Sequence, residues 1–555
     1  MTARSFAVRG ALAALSLCAV QDLVPGAGHA RACAPMAAQD AEGYDAVLER
    51  CEVLERRNPM RYHFQGWQEL AATGDPRAIA ELAARYKKPK TPKEQARYLI
   101  ALAAASAQGE ATLAAFDAWR EAATAPEDAW LWFQALGARA KAGSYDVIVE
   151  VARTHKSIYM RAAAVEALAS AKAEVLYTLV PELCAQLPKK SGERGLMVGA
   201  LATAMLDLAN KKTRTSSEFQ RMALSVVSLL DDEEIPRSSK FALARHFQKA
   251  LDSEMVSLDA NYWRRELNAK AQEAKAKKSK DKGIKYVKPS FFGVEANGER
   301  IAYVIDMSDS MCEPVEVPEK AKHGPLSGPK KEGDAGPKIP WQVIKNRFDL
   351  AREQLKLSLR QLGEDQYFTV ITFGDKGELL DGLDGLVKAT RGNVNKVIKE
   401  LDSIELGSPK MDKIHGTLKG QTNLHAGIRL AFRVRERGAV EEFEHVDLSG
   451  FEDGIDTLFL LSDGNPSFDD YETKDADYGD GRVVSDRESG KEADRTKELL
   501  YPGPYAAWDR LLEDVQRMNM FREVEIHCIS IGDANDGWLK RLADYGLGSV
   551  ANPLK

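Results

Sequence analysis

Three short stretches carry oxygen-bearing side chains at spacings that suit a hard cation. Asp306-Met307-Ser308-Asp309-Ser310-Met311 puts a carboxylate and two hydroxyls at i, i+2 and i+4 on one tight turn. Gln421-Thr422-Asn423-Leu424 adds a hydroxyl at the mouth of a loop, and Ser462-Asp463-Gly464-Asn465-Pro466 adds a carboxylate in a turn. Hard oxygens of this kind suit Mg2+, Mn2+ or Ca2+. No residue at these positions is built to move a proton, and His425, three residues after Thr422, reads as a helix-surface residue. The chain has no G-x-x-x-x-G-K-[ST], H-E-x-x-H, G-x-S-x-G or C-x-x-C, which argues for binding and against turnover.

Such groups meet only if the fold brings distant stretches to one place. After Lys288 short β-rich runs alternate with helical periodicity. Strands are expected at Ile301–Ile305, Tyr367–Phe373, Thr457–Leu461 and Val524–Ile531. Helices are expected at Trp341–Leu362, Asn393–Leu401, Leu424–Val434, Ala506–Met518 and from Trp538 onward. That alternation implies parallel βαβ units in an open, doubly wound (Rossmann-like) α/β sheet, which binds ligands at strand carboxyl ends where the strand order reverses. Two of the three motifs end strands of this set.

At these residues the sequence resembles a von Willebrand factor type A (VWA) domain, whose metal-ion-dependent adhesion site (MIDAS) uses D-x-S-x-S, a Thr, and an Asp in a DG-type turn. The resemblance covers 291–555 and implies that Asp306, Ser308, Ser310 and Thr422 contact a divalent ion directly or through water, while Asp463 holds a bound water. It further implies that a protein partner completes the coordination with an Asp or Glu carboxylate. Asp309 stands where the family commonly has Gly, and Gln421 replaces a usual Gly; neither removes a ligand, and Asp309 either points to solvent or adds negative charge beside the ion.

Two polar insertions, 312–340 and 468–494, follow the first and last motifs; the former holds six prolines and four glycines. Both read as loops, suited to partner choice or simply tolerated. The aspartates at 475, 477, 480 and 486 do not fit an EF-hand, because Gly479 and Asp480 fall where that loop wants an oxygen ligand and a glycine.

Residues 61–262 are rich in Ala and Leu at three-and-four spacing and read as an all-α repeat domain. Gly74-Asp75-Pro76 starts one helix with a cap and a proline at its first position, and RAAAVEAL, beginning at Arg161, resembles the first helix of a HEAT repeat. An unrelated bundle remains the alternative; either way the residues read as packing, and a solenoid would offer a curved protein-binding surface. A basic linker, 263–290, follows: between Arg264 and Lys288 ten Lys/Arg stand against three acids. Beyond Tyr286 it lacks the interleaved aromatics of a base-stacking surface.

A chain of 555 residues with 44% apolar and 29% charged residues is a multidomain globular protein. Its 77 Lys+Arg against 83 Asp+Glu give a net charge of −6, which disfavours nucleic acid as a partner. Residues 1–32 read as a signal peptide, with Arg4 and Arg9 before a short apolar core, so a secreted, periplasmic or cell-surface location in a bacterium is expected, with no membrane span after its removal. Residues 33–60 form an N-terminal segment in which Cys33 and Cys51 are close enough in sequence to bridge, or Cys33 could carry a lipid. The leading expectation is a protein-interaction or adhesion protein. An envelope assembly or chaperone-like factor using the helical surface is the second reading, and a metal-dependent hydrolase the third.

Overall fold

The computed structural model describes residues 43–56, 60–73, 75–86, 126, 129–141, 145–272, 289–315, 340–405, 420–441, 445–463, 465–470, 473–476, 498–501, 503–532 and 535–554, and the statements below concern these. The expected signal peptide 1–32, Cys33, the basic stretch 273–288 and most of both expected insertions lie outside them.

The N-terminal region is helical and wider than 61–262. Among the described residues its first helix is Tyr44–Glu55, which packs on Met60–Ala72 because Gly66 lets the Cys51 side chain in and Trp67 donates to Glu55 at 2.6 Å. Cys51 is buried there, its thiol pushed up to about 12 chiefly by burial. The region ends with Ala260–Gln272, whose Trp263 stacks on Phe247 at 5.5 Å, so the expected linker starts as a packed helix. From Ala129 onward alternate helices pack together: Ala129–Lys141, Ile158–Ser170, Ser191–Leu208 and Arg237–Leu251 in one series, Leu176–Cys184, Ser217–Val227 and Ala260–Gln272 in the other. Each helix in a series buries much of its apolar face against the next.

The C-terminal region is α/β. Its strands are β1 Ser290–Phe291, β2 Val294–Glu295, β3 Arg300–Asp306, β4 Tyr367–Phe373, β5 Gly377–Leu379, β6 Val387–Lys388, β7 Val434–Arg435, β8 Gly438–Ala439, β9 Thr457–Ser462, β10 Thr473–Ala476, β11 Glu498–Tyr501, β12 Glu525–Ser530 and β13 Leu547–Ala551. The main sheet runs β13-β12-β9-β3-β4-β5, with β6 also on β4; the pairs from β13 to β4 are parallel, and β5 and β6 are antiparallel edges. Period-two alternation splits its side chains between two cores. Ile301, Tyr303, Ile305 and Phe459 face Phe348, Leu355 and Val397 on one side, while Ala302, Val304, Leu458 and Leu460 face Leu424, Ile428, Leu511 and Trp538 on the other.

Three local features differ from expectation. The helix expected from Trp341 opens as a single turn, Trp341–Val343, and the α-helix runs Arg347–Gln361, because Asn346 accepts from the Asp349 amide at 2.8 Å and caps it there. β10 and β11 pair antiparallel, so a strand inside the expected insertion 468–494 forms a short ribbon with one just after it. The helical and α/β regions are also more than beads on a linker. Val446, Phe451, Met520 and Phe521 of the α/β region belong to the helical core, and Tyr159 donates to the Val446 carbonyl at 2.7 Å. Gly192, Gly195 and Gly199 form a stripe on Ser191–Leu208 that lies against Leu448, Phe451 and Phe521.

This contact is made at the strand starts. Arg237 forks onto Glu299 just before β3, and Arg245 donates to the Glu523 carbonyl just before β12. The opposite pole, where the parallel strands end, is left to the candidate site.

Candidate metal site at the strand ends

The chain leaves β3 through Arg347–Gln361 to reach β4 on one side and later enters β9 on the other, so the strand order reverses between β3 and β9. Backbones diverge at such a point and leave a crevice. Asp306 ends β3 and Ser462 ends β9, which sets the first and third motifs side by side.

Hydrogen bonds join four of the five expected residues. Asp306 is fully buried and accepts from the Ser308 amide at 2.9 Å and from the Ser462 hydroxyl at 2.8 Å. The hydroxyls of Ser308 and Ser310 lie 3.0 Å apart, and Ser310 donates to Asp463 Oδ1 at 2.7 Å. The single turn Asp309–Cys312 curls these hydroxyls back toward the strand end.

Thr422 is the fifth expected residue, and its loop, rather than its hydroxyl, is what is tied to the first motif. It is buried, its amide donates to the Ser467 hydroxyl at 2.8 Å, and its carbonyl accepts from the Ser467 amide at 2.9 Å. Asp309 fixes that loop: its carboxylate accepts from the Gly420 amide at 2.9 Å, while the Gly420 carbonyl accepts from the Asp309 amide at 3.1 Å. The extra carboxylate is exposed to solvent yet engaged, and it ties the first motif to the second. Gln421 is held in turn by its amide on Asp375 Oδ1 at 2.7 Å. Asn423 caps the next helix at the Ala426 amide.

Arg347 is the residue that sequence reasoning missed. From the first turn of its helix it donates to Asp463 Oδ2 at 2.8 Å and pairs with Glu313 at 2.6 Å. It stands far from the motifs in sequence and belongs to no short pattern. Ser462 was legible only as the residue before Asp463.

The two carboxylates differ in electrostatics. Burial, then the charge of Asp463, pushes Asp306 up to about 7, against the pull of its Ser308 and Ser462 hydrogen bonds. Burial also raises Asp463, with Arg347 and Ser310 opposing. Asp463 therefore has a guanidinium, whereas Asp306 has hydroxyl and amide donors but no cationic side chain among the described residues. A buried carboxylate beside converging hydroxyls fits a hard divalent cation as its missing countercharge. No three His, Cys, Asp or Glu side chains form a metal cluster among the described residues; the donors here are two carboxylates and hydroxyls.

His425 is not on a surface. It is buried, its Nε2 lies 2.7 Å from Asp514 Oδ2, and it stacks on Tyr505 at 4.1 Å. Burial takes it down to about 4 despite Asp514, so it is neutral near pH 7. Its helix is covered on that side by Trp508–Asn519, which the periodicity of the Leu424 helix alone does not reveal.

Comparison of the sequence with protein-family models and with curated proteins returns no match. No helix among the described residues is long and apolar enough to cross a membrane.

Proposed function

We propose that the C-terminal region is a VWA-type domain with a MIDAS, and that the chain is a secreted, periplasmic or cell-surface interaction protein. The observation that carries this reading is Asp306: a fully buried carboxylate with no cationic side chain beside it among the described residues, at the strand-order reversal, linked through serine hydroxyls to Asp463. Asp306, Ser308, Ser310, Thr422 and Asp463 would hold the divalent ion, Mg2+ or alternatively Mn2+ or Ca2+. The ion would supply Lewis acidity and a coordination position for a partner's Asp or Glu carboxylate.

The rest of the chain supports binding over turnover. His425, the nearest histidine in sequence to the Thr422 motif, is engaged with Asp514 and Tyr505. The alternating helix layers support a HEAT-like scaffold. One face of that scaffold is consumed by the α/β region, which favours a display role for it over a chaperone-like one using that same face.

Calorimetric titration of the full chain with Mn2+ tests the proposal. One saturable site per chain is expected, lost in Asp306→Ala while cooperative thermal unfolding persists. Absence of saturable Mn2+ and Mg2+ binding by the folded wild-type chain overturns it.

A further inference from the structure

Beside the segment that carries Val446 and Leu448 into the helical region lies a small cleft of about 40 Å3, lined by Arg429, Arg433, Arg435, Arg517, Arg522 and Glu441 among others. It is remote in character from the strand-end site: there oxygens predominate, here guanidiniums do.

Three of the five arginines have carboxylate partners. Arg429 lies 3.7 Å from Asp470, Arg435 2.8 Å from Asp447, and Arg517 2.8 Å from Asp514. The other two do not, among the described residues. Arg433 gives its Nε to the Val440 carbonyl at 3.0 Å, and Arg522 gives Nη2 to the Ile455 carbonyl at 2.7 Å. Arg522 is only 6% exposed, yet its neighbour across Gly450 is another guanidinium, that of Arg435. An added Cβ on Gly450 would lie 1.8 Å from Arg522 Nη1 and 2.9 Å from Arg435 Nη2, so glycine is what allows both to converge.

A buried guanidinium without a counterion is costly, and its fork of donors matches an oxyanion in two-point contact. Burial, followed by Arg435, brings Arg522 down to about 9, and burial with Arg429 lowers Arg433. Burial is the first cause of both shifts, and it outweighs the pull of Asp447, Asp453 and Asp456 on Arg522 and of Asp470 on Arg433. A volume of about 40 Å3 has room for a few waters or one small ion, and none for a sugar or base.

We propose that this cleft binds one free tetrahedral oxyanion of phosphate size, held chiefly by Arg433 and Arg522. Its place gives it a consequence. Val446 accepts from Tyr159, and His445, which also lines the cleft, meets the Tyr159 ring edge-on at 5.8 Å. An anion drawing the arginines together firms the wall from which this segment reaches the helical region.

Titrating the full chain with inorganic phosphate by calorimetry, against sodium chloride of equal ionic strength, tests the site. One equivalent is expected to bind. Arg433→Gln weakens binding about tenfold or more, as expected for loss of a charge-assisted contact, while Arg433→Lys keeps most of it. Glu441→Gln, which removes an exposed rim carboxylate without touching the core, tightens it. A response no larger than that to chloride overturns the proposal, as does an unchanged affinity in folded Arg433→Gln. Should Arg433→Gln fail to unfold cooperatively, Glu441→Gln decides alone, and an unchanged affinity there overturns it equally.

Discussion

Gly199 lies directly beneath the Phe521 carbonyl: a Cβ at position 199 would come within 2.1 Å of that oxygen. Phe521 and Glu523 both have positive φ, 66° and 52°, conformations that non-glycine residues hold only when packing enforces them. Helix and loop have therefore been fitted to one another, and neither backbone can give way freely. Gly199→Ala is expected to destabilise the chain by about 1–3 kcal/mol, the usual scale of overpacking, measured as a lowered urea midpoint. A variant as stable as wild type would mean the two regions do not seat as described.

Removing Arg347 separates its structural role from that of a metal. The Arg347–Asp463 pair is buried on both sides, with side-chain exposures of 10% and 0%. Arg347→Gln strands the aspartate, and breaking such a pair costs on the order of 3–5 kcal/mol. If a divalent ion binds here, Mn2+ supplies compensating charge, so the rise in melting temperature on adding Mn2+ is larger in Arg347→Gln than in wild type. An equal or smaller rise would dissociate Arg347 from the metal site.

Asp309→Ala leaves every proposed ligand in place and cuts the Asp309–Gly420 tie. Mn2+ affinity is expected to fall by about tenfold, in line with losses on removing groups that orient metal ligands, with little change in the unfolding midpoint. Unaltered affinity would show that the Thr422 loop is positioned without it.

Acidic groups buried between the two regions make stability depend on pH. Burial first, then Glu523 and Asp207, raise Glu166 well above its usual value of 4.5. Burial and Glu523 also raise Asp207 against His246 and Lys172, and Glu523 lies 3.4 Å from His246 and 3.3 Å from Thr203. Tyr545 is raised by the same surroundings. A folded-state pKa above the unfolded one means the packed form holds the Glu166 proton more tightly, so its contribution is full below about 4.5 and is lost as pH climbs through the raised value. Urea midpoints should fall from pH 5 to pH 8. Asp306, at about 7, adds a slope of the same sign, whereas Glu525, at about 2, stays ionised throughout. Glu166→Gln therefore flattens the profile without abolishing it; identical slopes in the two proteins would refute the assignment.

Legibility in the sequence followed the kind of signal each feature leaves. Continuous apolar runs such as Tyr367–Phe373 announced central strands, since a strand covered on both faces has no polar side to show. β13 did not, because Leu-Gly-Ser-Val-Ala is short, half-exposed and admitted beside Ile526 by Gly548. Asp306, Ser308 and Ser310 were visible as one local pattern. Arg347 was not, because its place beside Asp463 is set by a helix crossing the sheet face, which leaves no spacing to read. The same holds for the stripe of Gly192, Gly195 and Gly199, which looks like helix-on-helix packing until the α/β region is seen lying on it. His425 likewise took its environment from Trp508–Asn519, far along the chain.

β3 has Asp306 at one tip and, at the other, Arg300, whose amide donates to Asp456, next to Glu299 in the grip of Arg237. Traction on anything gripped at the rim would thus run lengthwise down a single strand into the helical stack. Its rungs to β4 and β9 lie across that pull, so they must slip together and cannot be unzipped in turn. Such a load would meet the sheet in shear, the geometry in which its rungs share the strain.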